Sequence, residues 1–67
     1  MPELYSQLKN YRVIKGFTQD ELAKKLHVTR QTIIAIEQAK YSPTLPFAYR
    51  AAKLFHCAIE DIFSFDD

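Results

Sequence analysis

An all-α fold is predicted for this chain, and three observations predict it. One glycine and three prolines in 67 residues leave too few turn residues for an all-β domain. Apolar residues recur at spacings of three and four, the period of a helix face. Threonine stands three times directly before such a stretch, where a helix needs an N-cap. The length suits one domain, residues 1–67, with no room for a second. A domain of this size is expected to be stable by about 3–5 kcal/mol.

Five helices follow in order. Glu3 to Lys15 contains no Gly or Pro, and Leu4, Leu8 and Tyr11 share one helical face. Gly16 after Lys15 marks its stop. Thr18 and Glu21 have the spacing of a capping box, in which each side chain satisfies a backbone N–H that the helix end leaves free. Phe17 and Leu22 flank that box as a hydrophobic staple. The second helix runs to about Leu26, with Leu22, Ala23 and Leu26 inward. Thr29 caps a third helix from Arg30 to about Gln38, and Ser42-Pro43 marks the next turn. Thr44 caps a fourth helix ending near Phe55, with Pro46 tolerated in its first turn. A last short helix covers about Ile59 to Phe63.

Composition removes several function classes. Aromatic content of 13% and a net charge of +1 are not those of a disordered chain. The lone Cys57 cannot form an intrachain disulfide. His27, His56 and Cys57 lack the spacing of a zinc site, so no metal is expected. No apolar run approaches the roughly 20 residues of a membrane span, and no signal peptide is visible, so a cytoplasmic protein is expected. A nucleophile with a nearby base, a glycine-rich phosphate loop and a metal cluster are all missing; neither enzymatic activity nor a cofactor is expected. The charge is uneven. Residues 1–41 hold seven basic and four acidic side chains, and residues 42–67 hold two and four. A basic first part suits a polyanionic partner.

The centre of the chain is the informative part. Only His27, Val28 and Thr29 separate the second and third helices, so the two must cross sharply, as in a helix-turn-helix. Ala23 provides the small side chain that a close crossing needs, and Val28 plugs the turn. Ile33 and Ile36 anchor the third helix. Arg30, Gln31, Ile34, Ala35 and Gln38 then face outward, where Arg and Gln near a helix start can reach base edges in the major groove.

The stretch from TQDELAKKL through VTRQTI, IE and KYSPT to IEDIF resembles the Xre/Cro-type helix-turn-helix family, which includes the phage repressors. The likeness runs from about Leu8 to Phe63, with the helix-turn-helix at 18–38. It implies five helices, binding of double-stranded DNA through the third, and transcriptional control by a short stand-alone dimer. By position, Gln19 matches a phosphate contact at the start of the second helix. Gln31 matches the main base-reading residue, suited to adenine N6 and N7. Thr29 is read as a cap that also lies at the DNA face. Arg30 suits guanine or a phosphate, and Thr32 a phosphate or a thymine methyl. Ile34 and Ala35 offer apolar contact to thymine methyls. Lys40, Tyr41 and Ser42 match a second grip on the backbone. Arg12 and Glu37 match a buried ion pair between the first and third helices.

Some positions depart from the family pattern. His27, Ala39 and His56 stand where glycine is frequent, and Ala58 stands where a Ser or Thr cap is usual. Each change is expected to cost stability, by a few tenths to about 1 kcal/mol, and to leave the DNA contacts in place. At the C-terminus, Phe63 and Phe65 have the period of a strand. Residues 63–67 are expected to form a dimer element, with Ile62, Phe63 and Phe65 at the interface and a short β-strand paired across the two-fold. A repressor on a palindromic operator is the expected function. The alternative is an antitoxin or similar module with autoregulatory DNA binding, meeting a protein partner through Val13, Ile14 and Tyr49.

Overall fold

The computed structural model describes residues 3–66. The elements run β1 (Glu3–Ser6), α1 (Leu8–Lys15), α2 (Gln19–Leu26), α3 (Arg30–Glu37), α4 (Leu45–Phe55), α5 (Ile59–Ile62) and β2 (Phe63–Asp66). Five helices are thus present, as expected, and two short strands join them. Asp67, the last residue of the expected tail element, lies outside the described residues.

Local chemistry sets the helix ends. Gly16 closes α1 at φ 77°, a conformation that costs glycine nothing. The capping box of α2 is complete: Glu21 N–H donates to Thr18 Oγ1 at 3.1 Å, and Thr18 N–H donates to Glu21 Oε1 at 2.8 Å. Thr29 and Thr44 cap α3 and α4 by accepting from Thr32 N–H and Phe47 N–H, each at 3.3 Å. Ala58 has no side-chain oxygen to cap α5, but Asp61 Oδ2 reaches back to accept its N–H at 3.0 Å. His27, Ala39 and His56 hold left-handed backbone at φ 59°, 58° and 55°, where a residue with a Cβ is strained.

The N-terminal segment corrects the expected first helix. Glu3–Ser6 is a strand, and α1 begins only at Leu8. β1 pairs antiparallel with β2, with Glu3 opposite Asp66, Leu4 opposite Phe65, Tyr5 opposite Ser64 and Ser6 opposite Phe63. Gln7 N–H continues the pairing by donating to the Ile62 carbonyl at 2.7 Å. Burial alternates along β1, with Leu4 and Ser6 turned inward, as a half-covered strand requires.

This ribbon also corrects the dimer element. The tail is a strand, as expected, and within the chain it pairs with the N-terminal strand β1. Ile62 and Phe63, expected at an interface, are 1% and 5% exposed and belong to the core. The reason is closure: a domain this small has few apolar side chains, and these two wall off the end of α4, where Phe63 lies 6.3 Å from Phe47. Phe65 remains 54% exposed. The rest of the core comes from α1 to α4: Leu8, Leu22, Ala23, Leu26, Ile33, Ile36, Phe47, Ala48, Ala51, Ala52 and Phe55. Tyr11 and Phe17 pack on Phe55 at 5.5 and 6.5 Å between ring centres. No helix among the described residues is long and apolar enough to cross a membrane.

Candidate nucleic-acid interface

The interface is built on α2, α3 and the three residues between them. His27 ends α2 in left-handed backbone, and Val28 N–H returns to the Ala23 carbonyl at 3.0 Å. Thr29 is extended and starts α3 at once. Ala23 is buried at the crossing and Val28 packs half-buried beneath it, as their sizes suggested. Ile33 and Ile36 are buried and hold α3 by one face.

A polar clamp fixes the other end of α3. Arg12 Nε donates to Glu37 Oε2 at 2.6 Å, and its Nη2 donates to Oε1 at 3.4 Å. The same guanidinium donates through Nη1 to the Phe17 carbonyl at 2.9 Å, just ahead of α2. The side chains are only 12% and 5% exposed. Three helix ends therefore meet on one ion pair, and α3 cannot tilt without breaking it.

The outward face is graded. Arg30, Gln31 and Gln38 are exposed, and Thr32, Ile34 and Ala35 are half-buried. Ile34 and Ala35 are therefore less outward than the helical spacing suggested. Thr29 is exposed, and its Oγ1 lies 3.1 Å from Thr32 Oγ1 while capping the helix. Lys40, Tyr41 and Ser42 are exposed in the loop after α3. The left-handed turn at Ala39 sends Lys40 N–H back to the Ala35 carbonyl at 2.9 Å. A shallow cleft of about 420 Å³ is lined by Gln31, Thr32, Ala35, Lys40 and Tyr41. The expected base-reading residues and part of the expected backbone grip thus share one surface.

Gln19 is placed differently from the simple expectation. It is half-buried, and its Nε2 donates to Glu37 Oε1 at 3.2 Å. Among the described hydrogen bonds none uses the backbone N–H of Gln19 or Asp20. These two amides are the free donors at this helix end, where the helix dipole favours an anion. A larger cleft of about 720 Å³ lies between α1, α2 and α3, with Lys9, Gln19, Asp20 and Arg30 on its walls. Lys9 is a basic residue beside the interface that the sequence reading passed over. Only its charge marked it, because nothing local to α1 says that this helix reaches the same cleft.

The electrostatics of the α2 start follow from the cap. Hydrogen bonds from the Thr18 backbone N–H, then from its hydroxyl, hold the Glu21 carboxyl below its ordinary 4.5. Lys25 stacks its ammonium 5.0 Å from the centre of the Phe17 ring. Among the described residues no group of three or more His, Cys, Asp or Glu could hold a metal ion; His27 and His56 close helices instead.

Known proteins carry the same pattern. A family model described as helix-turn-helix matches residues 8–62. An HTH-type transcriptional regulator of Methanocaldococcus jannaschii is 55% identical over 62 residues, covering 92% of this chain and 94% of that protein. One from Archaeoglobus fulgidus is 47% identical, covering 92% and 89%. The Bacillus subtilis regulator YgzD is 38% identical, covering 87% and 88%. From the turn, the clamp and this match over most of its length, the chain belongs to the Xre/Cro-like helix-turn-helix family.

Proposed function

We propose that this protein is a transcriptional regulator that binds double-stranded DNA in a sequence-specific way, and that it represses from a palindromic operator. One observation carries the reading: α3 is pinned by Ile33, Ile36 and the Arg12–Glu37 pair while Arg30 and Gln31 stand free at its start. A helix held this way presents donors and acceptors to base edges at a fixed angle. The relatives' names as HTH-type transcriptional regulators support it. The family is a non-enzymatic, DNA-binding class.

In this reading Gln31 pairs with adenine and Arg30 with guanine. Thr32, Ile34 and Ala35 meet sugar edges and thymine methyls. The Gln19 and Asp20 amides, with Lys40, Tyr41 and Ser42, hold phosphates and set register. A single weakly basic module of this size binds DNA weakly, so a homodimer completes the site. Leu45 and Phe65, 73% and 54% exposed, flank an apolar cleft of about 420 Å³ that Pro43, Ala48, Ile59 and Phe63 line. We assign that face to the two-fold, in place of Ile62 and Phe63 themselves. Exposed apolar side chains of this size beside an apolar cleft suit a self-complementary contact.

Selection from a random duplex pool at near-physiological salt tests the reading. An enriched palindrome with half-sites about 34 Å apart is expected. Weak, salt-sensitive binding with no enriched sequence would refute specific recognition. Phe65→Asp is expected to give a monomer by light scattering at micromolar concentration, and a dimer that persists would refute the assigned face. A second reading, an antitoxin-like module, draws on Val13 and Ile14, 58% and 82% exposed at the end of α1. Tyr49, the third residue of that expected patch, is 56% exposed on α4. Retention of a specific protein on wild-type protein but not on Ile14→Asp would favour it.

A further inference from the structure

We propose that the outer edge of β2 pairs with the same edge of a second copy of the chain, with Phe65 on the two-fold axis. This rests on the homodimer reading above and names its backbone contact. In an antiparallel pair, residues whose N–H and C=O face the partner strand alternate with residues whose groups face away. Gln7 N–H donates to the Ile62 carbonyl at 2.7 Å. Counted from there along the register, Tyr5 with Ser64 and Glu3 with Asp66 are the pairs that exchange bonds inside the ribbon. Phe63 and Phe65 therefore turn their backbone groups to the outer edge of β2.

The two are not equivalent. Phe63 N–H is spent on the Ile59 carbonyl, where it closes α5. Phe65 keeps both its N–H and its C=O without a partner among the described residues. One residue's donor and acceptor are too few to hold an extended peptide. On a two-fold axis they are used twice, each Phe65 N–H donating to the Phe65 carbonyl of the other copy.

The side chains suit the same pairing. Phe65 lies on the ribbon face that carries buried Phe63 and half-buried Leu4, yet it is 54% exposed. Its own chain does not reach far enough to cover it. The apolar cleft beside it is lined from β2, α4, α5 and the loop before α4, and by no residue of β1. The cleft thus opens on the outer side of β2, and pairing there lays the two rings side by side next to it. On the opposite face, Ser64 comes against Asp66 of the partner subunit. Asp66 Oδ2 takes the Tyr5 hydroxyl of its own chain at 3.3 Å, which leaves Oδ1 to accept from that serine.

Cys57 allows a test in the full chain, because a synthetic peptide of residues 57–67 can be ligated to a 1–56 thioester at that cysteine. Methylating the Phe65 nitrogen removes the outward N–H and keeps the ring. The dimer dissociation constant from sedimentation equilibrium is expected to rise about thirtyfold, the loss of two hydrogen bonds. Melting of the dilute monomer should not change. Methylating the Ser64 nitrogen should lower that melting, because its N–H serves the ribbon. Register is read by cross-linking in a Cys57→Ala background. A mixture of Ser64→Cys and Asp66→Cys chains is expected to form a disulfide-linked heterodimer, since the opposed Cα atoms lie about 4.5 Å apart. Neither variant alone should link, because like positions lie about 8 Å apart across the diagonal.

An unchanged dissociation constant on methylation at Phe65 would overturn the proposal and leave a dimer held by side chains alone. So would Ser64→Cys linking by itself as fast as the mixture, or equal loss of melting temperature for the two methylated proteins. A wild type that stays monomeric at micromolar concentration would overturn the homodimer reading together with this one. A wild-type dimer that tolerates methylation at Phe65 overturns only this one.

Discussion

Replacing Glu37 by alanine is expected to leave the domain close to unfolding. Glu37 is 5% exposed, and its carboxylate takes hydrogen bonds from Arg12 Nε, Arg12 Nη2 and Gln19 Nε2. Truncation leaves the Arg12 guanidinium 12% exposed with the Phe17 carbonyl as its remaining partner. Breaking one partner of a buried pair costs about 3–5 kcal/mol, because the other charge stays buried and uncompensated. That is about the whole stability expected for a chain of this length. Even the lower figure lowers the midpoint by about 12–24 °C, at 4–8 °C per kcal/mol for domains of this size. Thermal and urea unfolding followed by far-UV circular dichroism measures it. The companion variant Arg12→Met with Glu37→Leu removes both charges and keeps volume. It is expected to recover most of the loss, since well-packed apolar replacements of buried pairs are often neutral. A cost below about 1 kcal/mol for Glu37→Ala, with an unchanged urea slope, would refute this reasoning. So would a double variant as unstable as the sum of its parts.

Three further outcomes are expected. Ala39→Gly should raise stability by about 0.5–1 kcal/mol, the relief of left-handed strain less the entropy that glycine adds to the unfolded chain; a lower melting temperature would contradict it. Ala58→Ser should add about 0.5–1 kcal/mol by supplying the oxygen that α5 lacks at its cap, and an unchanged urea midpoint would count against it. The Glu21 carboxyl is held below its ordinary 4.5, so its contribution is complete above that value and disappears as pH falls through its lowered folded value. Glu21→Gln should therefore cost stability at neutral pH and lessen the fall on acidification; parallel acid unfolding curves for both proteins would refute it.

The helices were legible because their ends are written in adjacent residues. Thr18 with Glu21, Thr29, Thr44 and Gly16 each act within one turn of chain, and each acts as their chemistry dictates. The left-handed backbone at His27, Ala39 and His56 was marked only by the family resemblance, in which glycine is frequent at these three places. The strand at Glu3–Ser6 was not legible. Leu4, Leu8 and Tyr11 fit a helical stripe, and the residues that make Leu4 extended lie at the far end of the chain. Ile62 and Phe63 were misjudged likewise, because the core's capacity depends on how five helices pack rather than on any local pattern. At the interface, the identities of Arg30 and Gln31 were readable from their place after Thr29. The Gln19–Glu37 bond was not, since it joins two helices through side-chain geometry alone.

The ribbon has a consequence for the order of events in folding. Tyr5 hydroxyl donates to Asp66 Oδ2 at 3.3 Å across 61 residues of chain. Closing a loop that long from an open coil costs about 3–4 kcal/mol in chain entropy. A cross-strand pair such as Leu4 with Phe65 contributes only about 0.2–1 kcal/mol. Four such pairs do not start folding; the helices must first dock and carry the two ends close together. Pairing then comes late, so weakening it speeds unfolding and leaves refolding nearly untouched. The lifetime of the buried Ile62 and Phe63 is thereby set by how often two distant ends of the chain part company, and not by the strength of the helices they cover.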